Sequence, residues 1–213
     1  MNEFLNMDCM EGMKKMPDKF IDLCIVDPPY GIKRDKGFEG FGGFGKPIPR
    51  TRYNGEWDSS KPDKIYFDEL IRVSKHQIIF GGNFFTNHLP QNNHWIFWDK
   101  MNTMPTFGDG ELAYTSFNRN SVKQITLEYN GLLGKEPNRI HPTQKPVALY
   151  KWLLKNYAKQ GDLILDTHVG SASSLIACED MGFEYVAYEL DKDYYEAAQK
   201  RLKQYRSQLK LAI

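Results

Sequence analysis

The sequence predicts an α/β fold in which a parallel sheet carries helices on both faces. Short apolar runs alternate along the chain with longer segments of helical periodicity, and this alternation is typical of parallel sheets. Acidic residues directly follow or end three of the apolar runs, at Asp27, Asp166 and Glu189. Ligands of open α/β sheets bind beyond the carboxyl ends of the strands, where these acids would lie. The 213 residues, 41% of them hydrophobic, suffice for one sizeable core, so residues 1–213 are predicted to form a single domain.

The individual elements follow from the spacing of the apolar residues. Continuous apolar runs are typical of strands buried on both faces, and they predict strands over residues 21–27, 77–80, 95–99, 111–117, 163–166 and 185–190. Helical spacing predicts helices over residues 64–74, 146–159, 171–181 and 193–210. In the first of these helices, the side chains predicted to face inward are Ile65, Leu70, Ile71 and Val73.

Basic residues are concentrated in two segments without helix or strand periodicity. Residues 33–52 contain six basic and two acidic residues, and residues 119–145 contain five basic and two acidic residues. The net charge of the chain is only +1, so these segments stand out against a nearly neutral body. The pattern is compatible with contacts to phosphates, and equally with solvated loop charges. Residues 31–56, rich in Gly, Phe and basic residues, are too long for an ordinary connection and are predicted to be a mobile loop.

The cysteines and histidines show no metal-ligand spacing. Cys9, Cys24 and Cys178 are far apart and form no CxxC pair, which is typical of a protein from a reducing cytoplasm. No apolar run is long enough to cross a bilayer, and the first residues lack the pattern of a secretory signal. We therefore expect a cytoplasmic protein with no metal and no membrane partner.

The segment Asp27-Pro28-Pro29-Tyr30 follows a predicted buried strand immediately. The two prolines lack backbone N–H donors and stiffen the turn, so a carboxylate, carbonyl oxygens and an aromatic ring converge. This arrangement suits an exocyclic amine on a flat ring, because Asp27 and the Pro28 carbonyl can accept its N–H groups while Tyr30 stacks on the ring. The alternative is a tight proline turn with a capping aspartate.

The same acceptors have a catalytic use. The amine lone pair of adenine is delocalised into the ring, which makes the nitrogen a poor nucleophile. Hydrogen bonds from both N–H groups favour a pyramidal nitrogen and free the lone pair. With a sulfonium methyl donor held in line, catalysis would be mainly positioning and electrostatics.

Several motifs, in this order, resemble those of the β-class-like N4/N6 amino-methyltransferases of DNA, in which the catalytic motif precedes the cofactor motif. Asp27–Tyr30 (DPPY) resembles the catalytic motif, and His141–Pro146 (HPTQKP) resembles the segment that opens the cofactor half. Leu165–Ser174 (LDTHVGSASS) lies where the family has its glycine-rich cofactor turn, and Tyr188–Asp191 (YELD) resembles the acidic strand end that binds ribose hydroxyls. The resemblance covers nearly the whole chain.

The resemblance implies a Rossmann-like, S-adenosylmethionine-dependent methyltransferase fold with seven mostly parallel strands, one of them antiparallel. It implies transfer of a methyl group to N6 of an adenine flipped out of duplex DNA, in a bacterial or phage-infected cell and in the manner of restriction–modification enzymes. The implied catalytic residues are Asp27, Pro28, Pro29 and Tyr30. The residues implied to line the S-adenosylmethionine pocket are Asp8, Cys9, Asp27, Lys145, Asp166, Thr167, His168, Gly170, Ser171, Glu189 and Leu190. Among them, Lys145 would neutralise the carboxylate of the cofactor.

The sequence departs from the family pattern at the cofactor turn. Asp166-Thr167-His168 stands where the family usually has Asp-Pro-Phe, and Ala172 replaces the second glycine. His168 either faces the cofactor or fills the space of the missing aromatic ring.

Target recognition also departs from the larger relatives. Only residues 118–140 are available as a short target-recognition segment, so we expect the mobile loop 31–56 to share this work. The candidate DNA-binding residues are Lys33, Arg34, Arg50, Arg52, Arg119, Lys123 and Arg139. The sequence therefore favours a short or relaxed recognition site, or a homodimer whose second subunit supplies contacts.

Three other functions remain open at this point. An N4-cytosine methyltransferase would use the same amine chemistry, although that group more often has Ser or Thr in place of Asp27. An RNA adenine methyltransferase would need the same acceptors. A non-catalytic DNA-binding relative is favoured only by the altered cofactor turn. A Rossmann dehydrogenase is disfavoured because no GxGxxG follows a first strand.

Overall fold

The computed structural model describes residues 1–31, 61–102, 108–129, 139–141 and 143–209. The strands are β1 (Asn2–Asn6), β2 (Ile21–Val26), β3 (Ser74–Phe80), β4 (Trp95–Asp99), β5 (Gly110–Thr115), β6 (Lys123–Thr126), β7 (Leu163–Asp166) and β8 (Glu184–Glu189). The helices are α1 (Cys9–Met13), α2 (Lys64–Val73), α3 (Val147–Tyr157), α4 (Ser173–Met181) and α5 (Lys192–Leu209).

The described strands form one sheet in the order β1-β8-β7-β2-β3-β5-β4-β6. Strand β5 is antiparallel to both of its neighbours, β3 and β4, whereas all other neighbouring strands are parallel. The α/β class with one antiparallel strand is confirmed. The sheet has eight strands rather than the predicted seven, and the elements outside the predicted runs are β1 and β6.

Helices cover both faces of the sheet, as predicted. Alternate residues of a strand point to opposite faces, and β2 shows the division: Leu23 and Ile25 belong to one core cluster, Cys24 and Val26 to the other. The first cluster includes buried residues of α3, α4 and α5, and the second includes those of α1 and α2. Strand β2 is therefore buried on both sides, as its continuous apolar sequence requires.

Helix α2 corrects one detail of the prediction. Its N-cap Asp63 accepts a hydrogen bond from the Tyr66 N–H. Ile65, predicted to face inward, is 60% exposed. The first buried side chain of the helix is instead that of the next residue, Tyr66. The buried residues of α2 are Tyr66, Phe67, Leu70 and Val73, which follow helical spacing. No helix within the described ranges has the length and apolar character needed to cross a membrane.

The two segments expected to contact DNA are described only in part. Of residues 31–56, only Gly31 is described, so Lys33, Arg34, Arg50 and Arg52 lie outside the described residues. Of residues 118–140, the structure describes 118–129 and 139–140. Within that segment, residues predicted to be a loop form strand β6 beside β4.

Candidate active site

A cavity of about 470 Å³ lies at the carboxyl edge of the parallel strands. Its walls include the residues that directly follow β1, β2, β7 and β8. Parallel strands end at the same edge of a sheet, which explains why segments far apart in sequence meet here. The volume lies within the range of roughly 300–1,000 Å³ that is common for small-molecule sites.

Most of the residues singled out from the sequence line this cavity. All four residues of the Asp27–Tyr30 segment do so. The other lining residues that were predicted to contact the cofactor are Asp8, Cys9, Lys145, Thr167, His168, Gly170, Ser171, Glu189 and Leu190. Asp166 is the exception, since it is buried behind the wall of the cavity. The structure thus gathers these residues in one place, while their roles remain proposals.

The Asp27 carboxylate receives donors from two sides. The Tyr30 hydroxyl donates to Oδ1 at 2.6 Å, and the Lys145 ammonium donates to Oδ2. Burial and the neighbouring Asp27 raise the pKa of Tyr30 well above its ordinary value, so the phenol keeps the proton that it donates. The carboxylate plane is consequently fixed while each oxygen retains a lone pair.

Glu111 belongs to this site, although sequence reasoning missed it. Its carboxylate lines the cavity, forms an ion pair with Lys145 at 3.3 Å and accepts a hydrogen bond from Lys100. Because β5 is antiparallel, its amino end lies at the edge where the other strands have their carboxyl ends. An acid at the start of the reversed strand was the available signal.

The pKa values of the pair Lys145 and Glu111 support full ionisation. Burial alone would lower the pKa of Lys145, but the carboxylates of Asp27 and Glu111 raise it above its ordinary value. Burial would likewise raise the pKa of Glu111, but the ammonium groups of Lys145 and Lys100 hold it well below its usual range. The site therefore contains a buried, compensated set of charges.

The Tyr30 ring is held between aromatic residues and a glycine. It stacks on Phe84 with the ring centroids 5.0 Å apart and an interplanar angle of 16°, and it meets Phe85 edge-on. Gly81 has φ +64°, and a Cβ atom there would lie 2.3 Å from Tyr30 Cε1. The glycine after β3 is therefore needed both for the backbone turn and for the position of the ring.

The opposite part of the cavity is formed by the turn after β7 and the end of β8. The Glu189 carboxylate accepts hydrogen bonds from the backbone N–H groups of Gly170 at 2.8 Å and Asp191 at 3.0 Å. Burial raises the pKa of Glu189. The α4 helix begins just after this turn at Ala172, whose φ of +62° takes the place of a glycine conformation. The turn can thus be built without the second glycine of the family pattern.

His168 both lines the cavity and packs like the missing aromatic residue. Its ring meets the Tyr66 ring edge-on with centroids 5.5 Å apart, and its Nδ1 lies 2.9 Å from the Thr167 hydroxyl. Burial lowers the pKa of His168 to about 4, so the ring is neutral near pH 7. The packing on Tyr66 agrees with the interpretation that His168 fills the space of an aromatic residue, and contact with the cofactor stays a prediction.

Two other residues of the cavity bear on reactivity. Burial raises the pKa of Cys9 to about 12, so this residue stays a protonated thiol and serves as packing. Burial lowers the pKa of His141 to about 3, so its ring is neutral too. Among the described residues, no group of three or more His, Cys, Asp or Glu side chains could hold a metal ion.

The candidate DNA-binding residues are not gathered together. The Nε of Arg139 donates at 3.0 Å to the carbonyl of His141, a residue that lines the cavity. Arg119 follows the end of the reversed strand β5, and Lys123 begins β6, so both lie at the amino edge of the sheet. The guanidinium of Arg119 covers the Tyr157 ring, 5.0 Å from its centroid. The structure does not bring Arg119 or Lys123 to the cavity.

The fold and the arrangement of the cavity define a class. A mostly parallel sheet with one reversed strand brings the Asp-Pro-Pro-Tyr turn and the acid at the end of β8, Glu189, into a single cavity. This is the fold class of the S-adenosylmethionine-dependent methyltransferases.

Comparisons with known proteins narrow the class. A family model described as DNA methylase matches residues 113–200. The type II methyltransferase M.HinfI of Haemophilus influenzae is 25% identical over 253 aligned residues, which cover 95% of this chain and 70% of the relative. The family match and such relatives show that the chain is similar to DNA methyltransferases.

Solved structures agree in fold. The M1.HpyAVI–SAM complex superposes with a TM-score of 0.61 at 21% identity, covering 95% of this chain and 99% of that one. The cytosine-N4-specific PvuII DNA methyltransferase superposes with a TM-score of 0.62 at 12% identity, covering 93% and 86%. At these identities the likeness concerns the fold.

Proposed function

We propose that this protein is a site-specific DNA methyltransferase that transfers a methyl group from S-adenosylmethionine to N6 of adenine. The observation that carries the proposal is the single cavity that joins the Asp27–Tyr30 segment to Glu189. The Asp27–Tyr30 segment suits an exocyclic amine, and Glu189 suits a nucleoside cofactor. The relatives named above are methyltransferases, which supports the same reaction.

The Glu189 side of the cavity fits the cofactor. A half-buried carboxylate at a strand end can accept both hydroxyls of a ribose, and Gly170, with φ +53°, allows close approach of the backbone. Asp8 and Leu190 lie beside it in the cavity wall. When bound there, S-adenosylmethionine would supply an electrophilic methyl group and leave as S-adenosylhomocysteine.

The Asp27 side of the cavity fits the substrate amine. The remaining lone pairs of the Asp27 carboxylate and the Pro28 carbonyl would accept the two N–H groups, and the Tyr30 ring would stack on the base. These acceptors localise the lone pair on the nitrogen that attacks, and the carboxylate stabilises the positive charge that develops there. The base must leave the duplex to reach this position.

Cytosine N4 is the second candidate. Its amine would use the same acceptors, and the sheet superposes on a cytosine-N4-specific enzyme. Asp27 favours adenine because the N4 group more often has Ser or Thr at this position, as the family resemblance implies.

One assay separates the candidates. The protein is incubated with methyl-labelled S-adenosylmethionine and duplex DNA, single-stranded DNA or RNA, and the labelled nucleoside is then identified. We expect label in N6-methyladenine from DNA. Label in N4-methylcytosine, or in RNA alone, would replace the proposal by the corresponding alternative. Absence of label from all three substrates would overturn it.

A binding measurement tests the cofactor half separately. Titration with S-adenosylhomocysteine should show saturable binding, and Glu189→Gln should weaken it by about tenfold or more, since a charged hydrogen-bond acceptor contributes roughly 1.5–3 kcal/mol. Glu184→Gln is a matched control, because this exposed acid begins the same strand far from the cavity. Equal effects of the two substitutions would contradict the assignment of Glu189.

A further inference from the structure

A chain of alternating donors and acceptors runs from the catalytic turn into the sheet. Tyr30 donates to Asp27, Lys145 donates to Asp27 and pairs with Glu111, and Lys100 donates to Glu111. The side chain of Lys145 is only 5% exposed, and those of Glu111 and Lys100 are each 19% exposed. We propose that Glu111 is a positioning residue of the transfer reaction, which holds the Lys145 ammonium against Asp27 and so fixes the carboxylate toward the substrate amine. This inference rests on the proposed function.

The geometry separates Glu111 from the reacting atoms by one residue. Asp27 accepts from Lys145 at Oδ2, and the Lys145 ammonium forms an ion pair with Glu111 Oε2 at 3.3 Å without a geometrically good hydrogen bond. A lysine side chain has four rotatable bonds and would otherwise move freely. Packing of its ammonium over the Phe80 ring, 4.6 Å from the centroid, restricts it further.

Lys145 has two carboxylate partners within the protein, Asp27 and Glu111. Asp27, Lys145, Glu111 and Lys100 together already carry no net charge. We therefore assign Lys145 to Asp27 on the substrate side of the cavity, whereas the family resemblance implied a partner for the cofactor carboxylate.

The reversed direction of β5 is what makes this arrangement available. The register pairs Trp98 with Glu111 and Asp99 with Gly110, so Glu111, the second residue of β5, lies opposite the second-last residue of β4. Lys100 continues from the end of β4, and its backbone N–H donates to the Asp109 carbonyl at 3.0 Å. A parallel strand at this position would direct its first residues to the opposite edge of the sheet.

The test compares Glu111→Gln with Asp109→Asn. Glutamine keeps the shape of Glu111 but removes its charge, and Asp109 is an exposed acid two residues away that supplies the matched control. We measure the single-turnover rate of methyl transfer to DNA, the Kd for S-adenosylhomocysteine and the Tm. Glu111→Gln should lower the rate by on the order of 10- to 100-fold, because small misplacements of an acceptor have effects of this size. The Kd of Glu111→Gln should change by less than about threefold. The rate and the Kd of Asp109→Asn should also change by less than about threefold.

The pH profile distinguishes positioning from a structural role. The titratable groups that face Lys145, directly or through Glu111, are Asp27, Tyr30, Lys100, Glu111, His141 and Tyr150. Removing the negative charge of Glu111 lowers the pKa of Lys145, so the ammonium loses its proton at a lower pH. The alkaline limb of the rate profile should therefore move to lower pH in Glu111→Gln by about one unit, and it should stay in place in Asp109→Asn.

Each outcome decides the matter. Three results for Glu111→Gln would overturn the inference and leave the proposed function standing. These are an unchanged transfer rate, a lower rate without a shift of its pH profile, and a rise in the Kd for S-adenosylhomocysteine as large as the loss of rate. An inactive wild type with every nucleic acid overturns the proposed function and this inference together. If Glu111→Gln does not fold, Lys100→Gln takes its place. This substitution removes the ion pair of Glu111 with Lys100 but keeps the pair with Lys145, so we expect a smaller loss of transfer rate.

Discussion

At the scale of single residues, Asp27 combines two demands on one carboxylate. It accepts from Tyr30 and Lys145 within the protein, and in the proposed reaction it also accepts from the substrate. A carboxylate can do this because it has about four lone-pair positions. The sequence motif predicted the acceptor and the ring, but it could not predict Glu111, because that contact depends on the direction of a strand distant in sequence.

Replacing Asp27 tests its proposed role. Asp27→Asn should lower methyl transfer by on the order of 100-fold, because one acceptor becomes a donor and the negative charge next to the developing positive charge is lost. The Kd for S-adenosylhomocysteine should change by less than about threefold, since Glu189 and Gly170 lie in another part of the cavity wall. Radiometric transfer and isothermal titration measure the two quantities. A parallel loss of cofactor affinity would mean that Asp27 belongs to the cofactor site.

Gly81 is predicted to determine the position of Tyr30. Gly81→Ala would place a methyl group 2.3 Å from Tyr30 Cε1, so the ring must move and methyl transfer should fall at least about tenfold. Gly161→Ala is the control, because Gly161 also has a positive φ, +92°, but nothing lies within 4 Å of its added Cβ. Backbone strain should cost roughly 1–2 kcal/mol of stability in both variants, and in Gly81→Ala the displacement of the Tyr30 ring adds to this cost. The transfer rate of each variant is measured per amount of folded protein. Equal rates in the two variants would contradict this explanation.

At the scale of elements, the predictions succeeded where burial is continuous and failed where it is sparse. Strand β2 is buried over almost its whole length and could be predicted from its apolar run. Strands β1 and β6 each have one buried residue, Phe4 and Ile125, so their sequences carry almost no hydrophobic signal. Their pairing with β8 and β4 comes from backbone hydrogen bonds at the sheet edges, which composition does not record.

The connection between β7 and α4 should make stability depend on pH. Burial raises the pKa of Asp166 to about 7, although Ser174 and the His168 N–H donate to it. A carboxyl whose folded pKa is raised contributes stability that is present below its unfolded pKa near 3.8 and is lost as the pH rises through about 7. Asp166 should therefore weaken the folded state between pH 4 and 7.

Asp166→Asn tests this dependence because an amide of the same shape can serve both neighbours without titrating. The free energy of unfolding, measured with urea at pH 5 and pH 8, should shift in favour of the variant by about 1–3 kcal/mol between the two pH values. Other titrating groups are common to both proteins and largely cancel in the difference. Parallel pH dependences of wild type and variant would show that Asp166 is ionised normally in the fold.

At the scale of the whole molecule, the two ends of the parallel strands differ, because the cavity lies at their carboxyl ends. Arg139 is hydrogen-bonded to His141 in the wall of this cavity. Arg119 and Lys123 lie at the other edge because β5 runs backwards and β6 starts there. From their sequence positions alone, all three residues were assigned to one DNA-contacting segment. The residue types in 110–126 do not reveal that β5 and β6 run in opposite directions.

This arrangement predicts unequal roles for the basic residues in DNA binding. A base that enters the cavity brings its flanking phosphates to the carboxyl edge, so Arg139→Ala should weaken DNA binding and reduce the slope of log K against log salt by about one. The double substitution Arg119→Ala/Lys123→Ala removes more charge, yet it should leave the affinity within about twofold and the slope unchanged. Fluorescence anisotropy with a labelled duplex at several salt concentrations measures both quantities. A larger slope change in the double variant would show that DNA also contacts the opposite edge, as expected if a second subunit contributes to binding.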